Sequence, residues 1–383
     1  MLRRRKAFAI IAIPVLLVLG GVALGYDHAR GAAFVVRAAN MGGPARTVAD
    51  WTTDPVAESE TSIPWRGGLL RARLYQPADP DDPPALLVPG VHAGGIEEPR
   101  LVQFARDVAA MGRTVVTAEL PDLKNYAITT RTTDMIEDAG LWLSKRSRDG
   151  RIAMMGISFA GGLSLVAASR PSLRDQVALV LSFGGHGDLP RTLRYLCTGE
   201  LPGGGSLPPH DYGIAIILLG VADRMVPAEQ VGPLKDAILA FLNASHVDMW
   251  DKAQAQVEFA RAKAMGDALA EPARTMMGYV SSRDVARLGP LLLPHVTEMG
   301  SAAALSPVQS PPPPFPVYLL HGIDDNVIPA AESAMLAQTL RDRGADVWHL
   351  ATPLITHAEV DRSAAAAAIW ELVRFWANLL SEG

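Results

Sequence analysis

Apolar residues along this chain fall into short runs divided by stretches of helical period. Residues 69–75, LLRARLY, alternate apolar and charged side chains, the period of a half-buried or edge strand. PADPDDP at 77–83 reads as a turn. Residues 85–88, 114–118, 151–156 and 177–183 are short apolar runs, of the kind a sheet covered on both faces buries. Between them, residues 101–111, 133–145 and the stretch up to about 169 have helical spacing. This alternation predicts an α/β fold with a mainly parallel sheet flanked by helices. Residues 31–65 read as a connecting segment with some helix.

The rhythm then breaks. From about His186 to Ser310 the pattern is mostly helical, with a Gly-rich loop at 201–206. Such a length is too great for a loop inside a compact domain, so residues 189–310 are expected to be a helical cap insertion. Four prolines at 311–314 form a stiff extended return. Alternation resumes at 317–321, 331–343 and 346–350, and residues 364–380 close the chain as a helix. The expected catalytic domain is therefore 66–188 together with 311–383. No internal repeat of fixed period is visible.

Composition narrows the function classes. Of 383 residues, 49% are hydrophobic and 20% charged, enough apolar content to bury a sizeable core. The formal net charge is -5, without the clustered Lys and Arg of a nucleic-acid footprint, so no nucleic-acid partner is expected. Cys197 is the only cysteine, which excludes an intrachain disulfide. Arg3, Arg4, Arg5 and Lys6 precede an uncharged run over 7–26. Twenty helical residues span about 30 Å, the hydrocarbon thickness of a bilayer. The segment 1–30 therefore reads as a membrane-spanning signal anchor, with the basic end cytoplasmic and the remainder outside. A signal peptide cut after Ala23-Leu24-Gly25, giving an exported protein, is the alternative.

The chemistry centres on Gly156-Ile157-Ser158-Phe159-Ala160-Gly161-Gly162, which follows an apolar run and precedes a helical one. A serine hydroxyl becomes a useful nucleophile only when exposed and beside a base. A sharp strand-to-helix turn exposes it, and small residues two before and two after allow that turn. The helix N-terminus then offers backbone N–H groups to an oxyanion. This motif resembles the nucleophile elbow of the α/β-hydrolase superfamily, G-x-S-x-G, with Ala160 at the last position. A bare serine cap in a Gly-rich turn is the bland alternative.

What the resemblance implies extends to three further segments. His321-Gly322-Ile323-Asp324-Asp325-Asn326-Val327-Ile328-Pro329 is similar to the family's acid segment, in which the acid lies four after the His and four before the Pro. That position is Asp325, whose carboxylate would orient an imidazole, and His321 is expected to be structural. His357, in a loop before the last helix, completes the order Ser158, Asp325, His357. Asp223 also stands four before a proline and is a competing acid. The loop Pro89-Gly90-Val91-His92-Ala93-Gly94-Gly95 matches the oxyanion loop, with Val91, or else His92, pairing with Phe159 as backbone N–H donors. Gly184-Gly185-His186-Gly187-Asp188 and His210-Asp211 lack any metal-ligand spacing and are expected to be structural.

The resemblance, which looks most like the dienelactone-hydrolase and prolyl-oligopeptidase side of the superfamily, covers about residues 66–380. It implies a serine hydrolase, an esterase first, acting on a small-molecule acyl substrate without cofactor or metal. A peptidase or amidase of the same fold, or a membrane-tethered binding protein without activity, remains open at this point, and oligomeric state is left undefined.

Overall fold

The computed structural model describes residues 25–80, 83–355 and 366–382. Among these residues eight strands form one sheet: β1 Val56–Trp65, β2 Gly68–Pro77, β3 Ala85–Val88, β4 Val115–Ala118, β5 Ile152–Ile157, β6 Val177–Phe183, β7 Val317–Gly322 and β8 Val347–Thr352. Their order is β1-β2-β4-β3-β5-β6-β7-β8. β2 is antiparallel to β1 and β4, and every pairing from β4 through β8 is parallel.

Residues of the central strands alternate between two cores because successive side chains point to opposite faces. Leu86, Val88, Met154, Val180 and Leu319 face one core, where the helices Thr130–Ser144 and Phe159–Ala168 pack. Leu87, Met155, Leu181, Tyr318 and Leu320 face the other. That second face is covered by the helix Pro99–Ala110, an N-terminal helix over 25–38 and the C-terminal helix Ala366–Ser381. The short apolar runs are thus buried on both sides, as their lack of a polar face predicts.

The segment 31–65 is more than a connector, and this corrects the sequence reading. Its last ten residues are β1, paired in register along its whole length with β2, so the sheet begins before residue 66. Only Ile63 is buried in this strand, and its other side chains are exposed or half-exposed, which leaves no apolar alternation to detect. Cross-strand ion pairs such as Arg71–Glu60, at 2.5 Å, replace apolar packing there. The N-terminal helix is part of the core as well. Phe34 is fully buried, with its ring centroid 4.0 Å from that of Trp376. Gly31 allows this approach, since a Cβ there would lie 2.5 Å from the carbonyl oxygen of Val373. The expected membrane span falls almost wholly on residues 1–24, outside the described residues. Among the described residues no helix is long and apolar enough to cross a membrane.

Between β6 and β7 the chain is helical: Leu189–Thr198, Tyr212–Met225, Ala228–Val247, Lys252–Asp267, Ala273–Ser281 and Val285–Met299. Its entry is fixed by the fully buried Glu332, whose carboxylate accepts from the backbone N–H groups of Gly187 and Asp188 at 3.0 Å each. Arg191 adds two more bonds to the same carboxylate, at 2.6 and 2.9 Å. His186 is buried beside it and bonds through Nε2 to the carbonyl of Leu305 at 2.7 Å. The Gly184–Asp188 run is therefore the clamped base of the insertion.

Candidate active site

β5 ends at Ile157 in the middle of the sheet, and the next residue starts a helix within one step. Ser158 makes that step at φ 57°, ψ -136°, a positive φ that L-residues adopt only when the surroundings enforce it. Its backbone is held on both sides: Ser158 N–H donates to Phe183 O at 2.7 Å, and Ser158 O accepts from Gly161 N–H at 2.8 Å. Small neighbours are required by contact. A Cβ on Gly156 would lie 2.2 Å from Ala160 O, and one on Gly161 would lie 2.5 Å from Ser182 Oγ. A Cβ on Gly162 would collide with the His186 ring at 2.6 Å. Ala160, the departure from the family pattern, is fully buried without disturbing this geometry.

The loop after β3 runs alongside. Gly90 approaches so closely that a Cβ there would sit 3.4 Å from Ser158 Cβ and 3.3 Å from Ile157 O. The N–H of His92 is committed to Leu123 O at 3.2 Å, which leaves Val91 as the better placed of the two oxyanion candidates. Phe159 N–H opens the helix after Ser158. Gly95 turns the loop at φ 51°, and Glu98 caps the following helix by accepting from Leu101 N–H at 2.7 Å.

At the end of β7, Asp325 is only 2% exposed. One carboxylate oxygen, Oδ1, accepts from Val327 N–H at 2.9 Å and Ile328 N–H at 3.0 Å, which fixes the group's orientation. His321 is fully buried; its Nε2 lies 2.8 Å from Ile328 O and 3.4 Å from Asp325 Oδ2, bracing the same loop. The competing acid, Asp223, sits exposed in the last turn of the helix Tyr212–Met225. His357 lies outside the described residues, so its position relative to Ser158 and Asp325 is not described.

Ser158, Val91 and Asp325 line one cavity of about 930 Å³, a size suited to a small organic molecule. The helical insertion contributes Leu242, His246, Met249 and Phe259 to its wall, and the core contributes Phe104 and Phe183. Of the apolar residues of the insertion, Ile238, Phe241 and Leu242 are buried, whereas Trp250 and Val257 are exposed. The wall also carries polar side chains that sequence reasoning passed over. Tyr126 donates to Leu242 O at 3.3 Å, and burial pushes its phenol up to about 12. Burial, with Asp325 adding to it, raises that of Tyr212 further. His246 contacts His92 at 3.0 Å, although 154 residues separate them in the chain. No local pattern announces such a pair. His210 and Asp211 also border the cavity, with Arg283 pairing to Asp211 at 2.9 Å. Among the described residues no group of three or more His, Cys, Asp or Glu is placed to hold a metal ion.

No family model matches the chain, and no curated relative does. Solved structures similar to it include an esterase of Pyrobaculum calidifontis, at 15% identity and TM-score 0.45, covering 85% of this chain and 86% of that one. EstE1, a thermophilic carboxylesterase from a metagenomic library, is similar at 16% identity and TM-score 0.47, with 86% and 90% covered. An acylaminoacyl peptidase of Pyrococcus horikoshii is similar at 13% identity and TM-score 0.44, over 85% of this chain but 41% of that one. These neighbours are α/β-hydrolase superfamily members.

Proposed function

We propose that this chain is a serine hydrolase that cleaves an ester or related acyl bond through an acyl-enzyme on Ser158. The observation that carries the reading is the strained turn that holds Ser158 at a helix N-terminus, on a cavity shared with the oriented carboxylate of Asp325. In this reading His357 Nε2 takes the Ser158 proton as Oγ attacks the acyl carbon. The carbonyl oxygen becomes an oxyanion held by the N–H groups of Val91 and Phe159. Collapse breaks the bond to the leaving alcohol, which receives the proton from His357. Water then adds by the same route and releases the acid. Asp325 keeps His357 in the required tautomer and stabilises its charged form. No cofactor enters these steps.

The test is a panel of p-nitrophenyl esters of increasing chain length against aminoacyl p-nitroanilides, with Ser158→Ala as control. Ester turnover that Ser158→Ala abolishes is expected. Turnover of the anilides alone would make the chain a peptidase, and no Ser158-dependent turnover at all would favour a binding role. We infer further that the segment 1–30, through its uncharged run over 7–26, holds the protein to a membrane with the hydrolase outside the cytoplasm, from the basic cluster before that run of bilayer length. Full-length protein should fractionate with membranes, and a chain beginning at Gly25 should be soluble and active. The cut belongs there rather than at residue 30 because the helix over 25–38 packs on Trp376. Full-length protein in the soluble fraction, uncleaved, would exclude the anchor.

A further inference from the structure

His92 follows Val91 directly in the loop after β3, and its ring is held at both nitrogens. Nδ1 accepts from Gly94 N–H at 3.1 Å, so the ring proton belongs on Nε2. That Nε2 lies 3.0 Å from Nδ1 of His246, which must then be the acceptor and carry its own proton on Nε2. The rings meet edge to face, with centroids 4.4 Å apart at 87°. His246 stands in the last turn of the insertion helix Ala228–Val247. A chain of two bonds thus runs from a cap helix to the turn that carries Val91. Tyr126 to Leu242 O, at 3.3 Å, braces the same helix one turn earlier.

We propose that His246 is a positioning residue, which through His92 fixes the turn presenting Val91 N–H to the substrate's carbonyl oxygen. Seating of the cap and formation of the oxyanion pocket are then one event. The inference rests on the reading of Ser158 as nucleophile and Val91 as oxyanion donor. It assigns His246 no contact with the reacting atoms.

The hydrogen-bond chain also requires both rings to be neutral. A proton on His246 Nδ1 removes the acceptor for His92, and a proton on His92 Nδ1 displaces Gly94 N–H. The surroundings favour neutrality. Burial holds both rings below the ordinary histidine range, and His246 adds to the effect on His92, pushing it down to about 4. The charged groups facing the pair are Glu98 and Arg100, from the start of the helix Pro99–Ala110. They largely satisfy each other, with Arg100 Nε bonded to Glu98 Oε1 at 2.7 Å. Just past the end of the insertion helix, Asp248 lies two residues beyond His246, and the Trp250 ring meets His246 edge-on at 6.4 Å. The strut therefore holds at neutral pH and into mild acid.

Three full-length variants test this through ester hydrolysis at pH 8, with thermal midpoints measured in parallel. Asparagine places an oxygen near the position of His Nδ1, whereas glutamine places one near Nε2. His246→Asn should keep kcat within about threefold of the native chain at pH 8. His246→Gln and His246→Leu should lower kcat roughly tenfold to a hundredfold, with a smaller change in KM, as expected for a displaced rather than deleted oxyanion donor. If His246→Leu fails to fold, the Asn-to-Gln comparison decides alone. Equal kcat in the Asn and Gln variants would overturn the inference. Activity that survives Ser158→Ala would instead overturn the reading beneath it, and the two failures are told apart by that control.

Discussion

Replacing Gly156 with alanine is the sharpest structural test of the nucleophile turn. The new Cβ would lie 2.2 Å from Ala160 O, 2.5 Å from Ala160 C and 2.7 Å from Gly161 N. All three are backbone atoms, so no side-chain rotation relieves the contact. The oxygen contact is about 1 Å short of van der Waals separation. The helix Phe159–Ala168 must therefore move away from β5 by a similar amount. Overpacking of this kind costs about 1–3 kcal/mol, and a backbone-only clash belongs at the upper end. At about 2–4 °C per kcal/mol for a domain of this size class, the midpoint should fall by roughly 5–10 °C. Catalysis should suffer more than stability, because Ser158 rides on the displaced turn and a 1 Å misplacement costs on the order of a hundredfold in rate. Ala160→Gly is the counterpart: it removes a buried methyl, costs roughly 1 kcal/mol in helix entropy, and should leave the rate within a few-fold. The assay pairs thermal unfolding by circular dichroism with kcat on a p-nitrophenyl ester. Wild-type rate in a folded Gly156→Ala variant would show that the close strand-to-helix approach is not what positions the serine.

Two other predictions concern charge. Asp325→Asn should lower kcat by about 10⁴-fold, the loss seen when the orienting acid favours the wrong imidazole tautomer, whereas Asp223→Asn, on an exposed helix end, should leave most activity; steady-state kinetics that ranked them in reverse would move the acid. Burial is the main cause holding His92, His186, His246 and His349 below the ordinary histidine range. The unfolded chain therefore takes up protons between about pH 6.5 and 5 that the native chain refuses, so stability falls as pH is lowered through that window and is flat above about pH 7. Urea midpoints at pH 8, 6 and 5 check this, and a midpoint unchanged from pH 8 to 5 would contradict it.

What the sequence disclosed follows from how local each signal is. The turn at Ser158 and the loop carrying Asp325 are written in consecutive residues, because a strand end, a sharp turn and a helix start are neighbours in the chain. The central strands were legible because both faces are buried. β1 was not: an edge strand satisfies its backbone against β2 while exposing Glu58, Ser59 and Glu60, and so carries no apolar period. The packing of the N-terminal helix was hidden for a different reason, since its partner, the C-terminal helix, lies at the opposite end of the chain. His246 and Tyr126 were invisible in the same way. Their roles exist only once the insertion folds over the sheet.

The account turns on Ser158 as the group that attacks, and one measurement meets that claim directly. Full-length protein should be treated with a small fluorophosphonate, its intact mass recorded, and the adduct mapped by peptide sequencing. One equivalent of adduct on Ser158 is predicted, with loss of ester hydrolysis in proportion to labelling and none of either in Ser158→Ala. Stoichiometric labelling at another residue, or undiminished labelling and hydrolysis in Ser158→Ala, would contradict it.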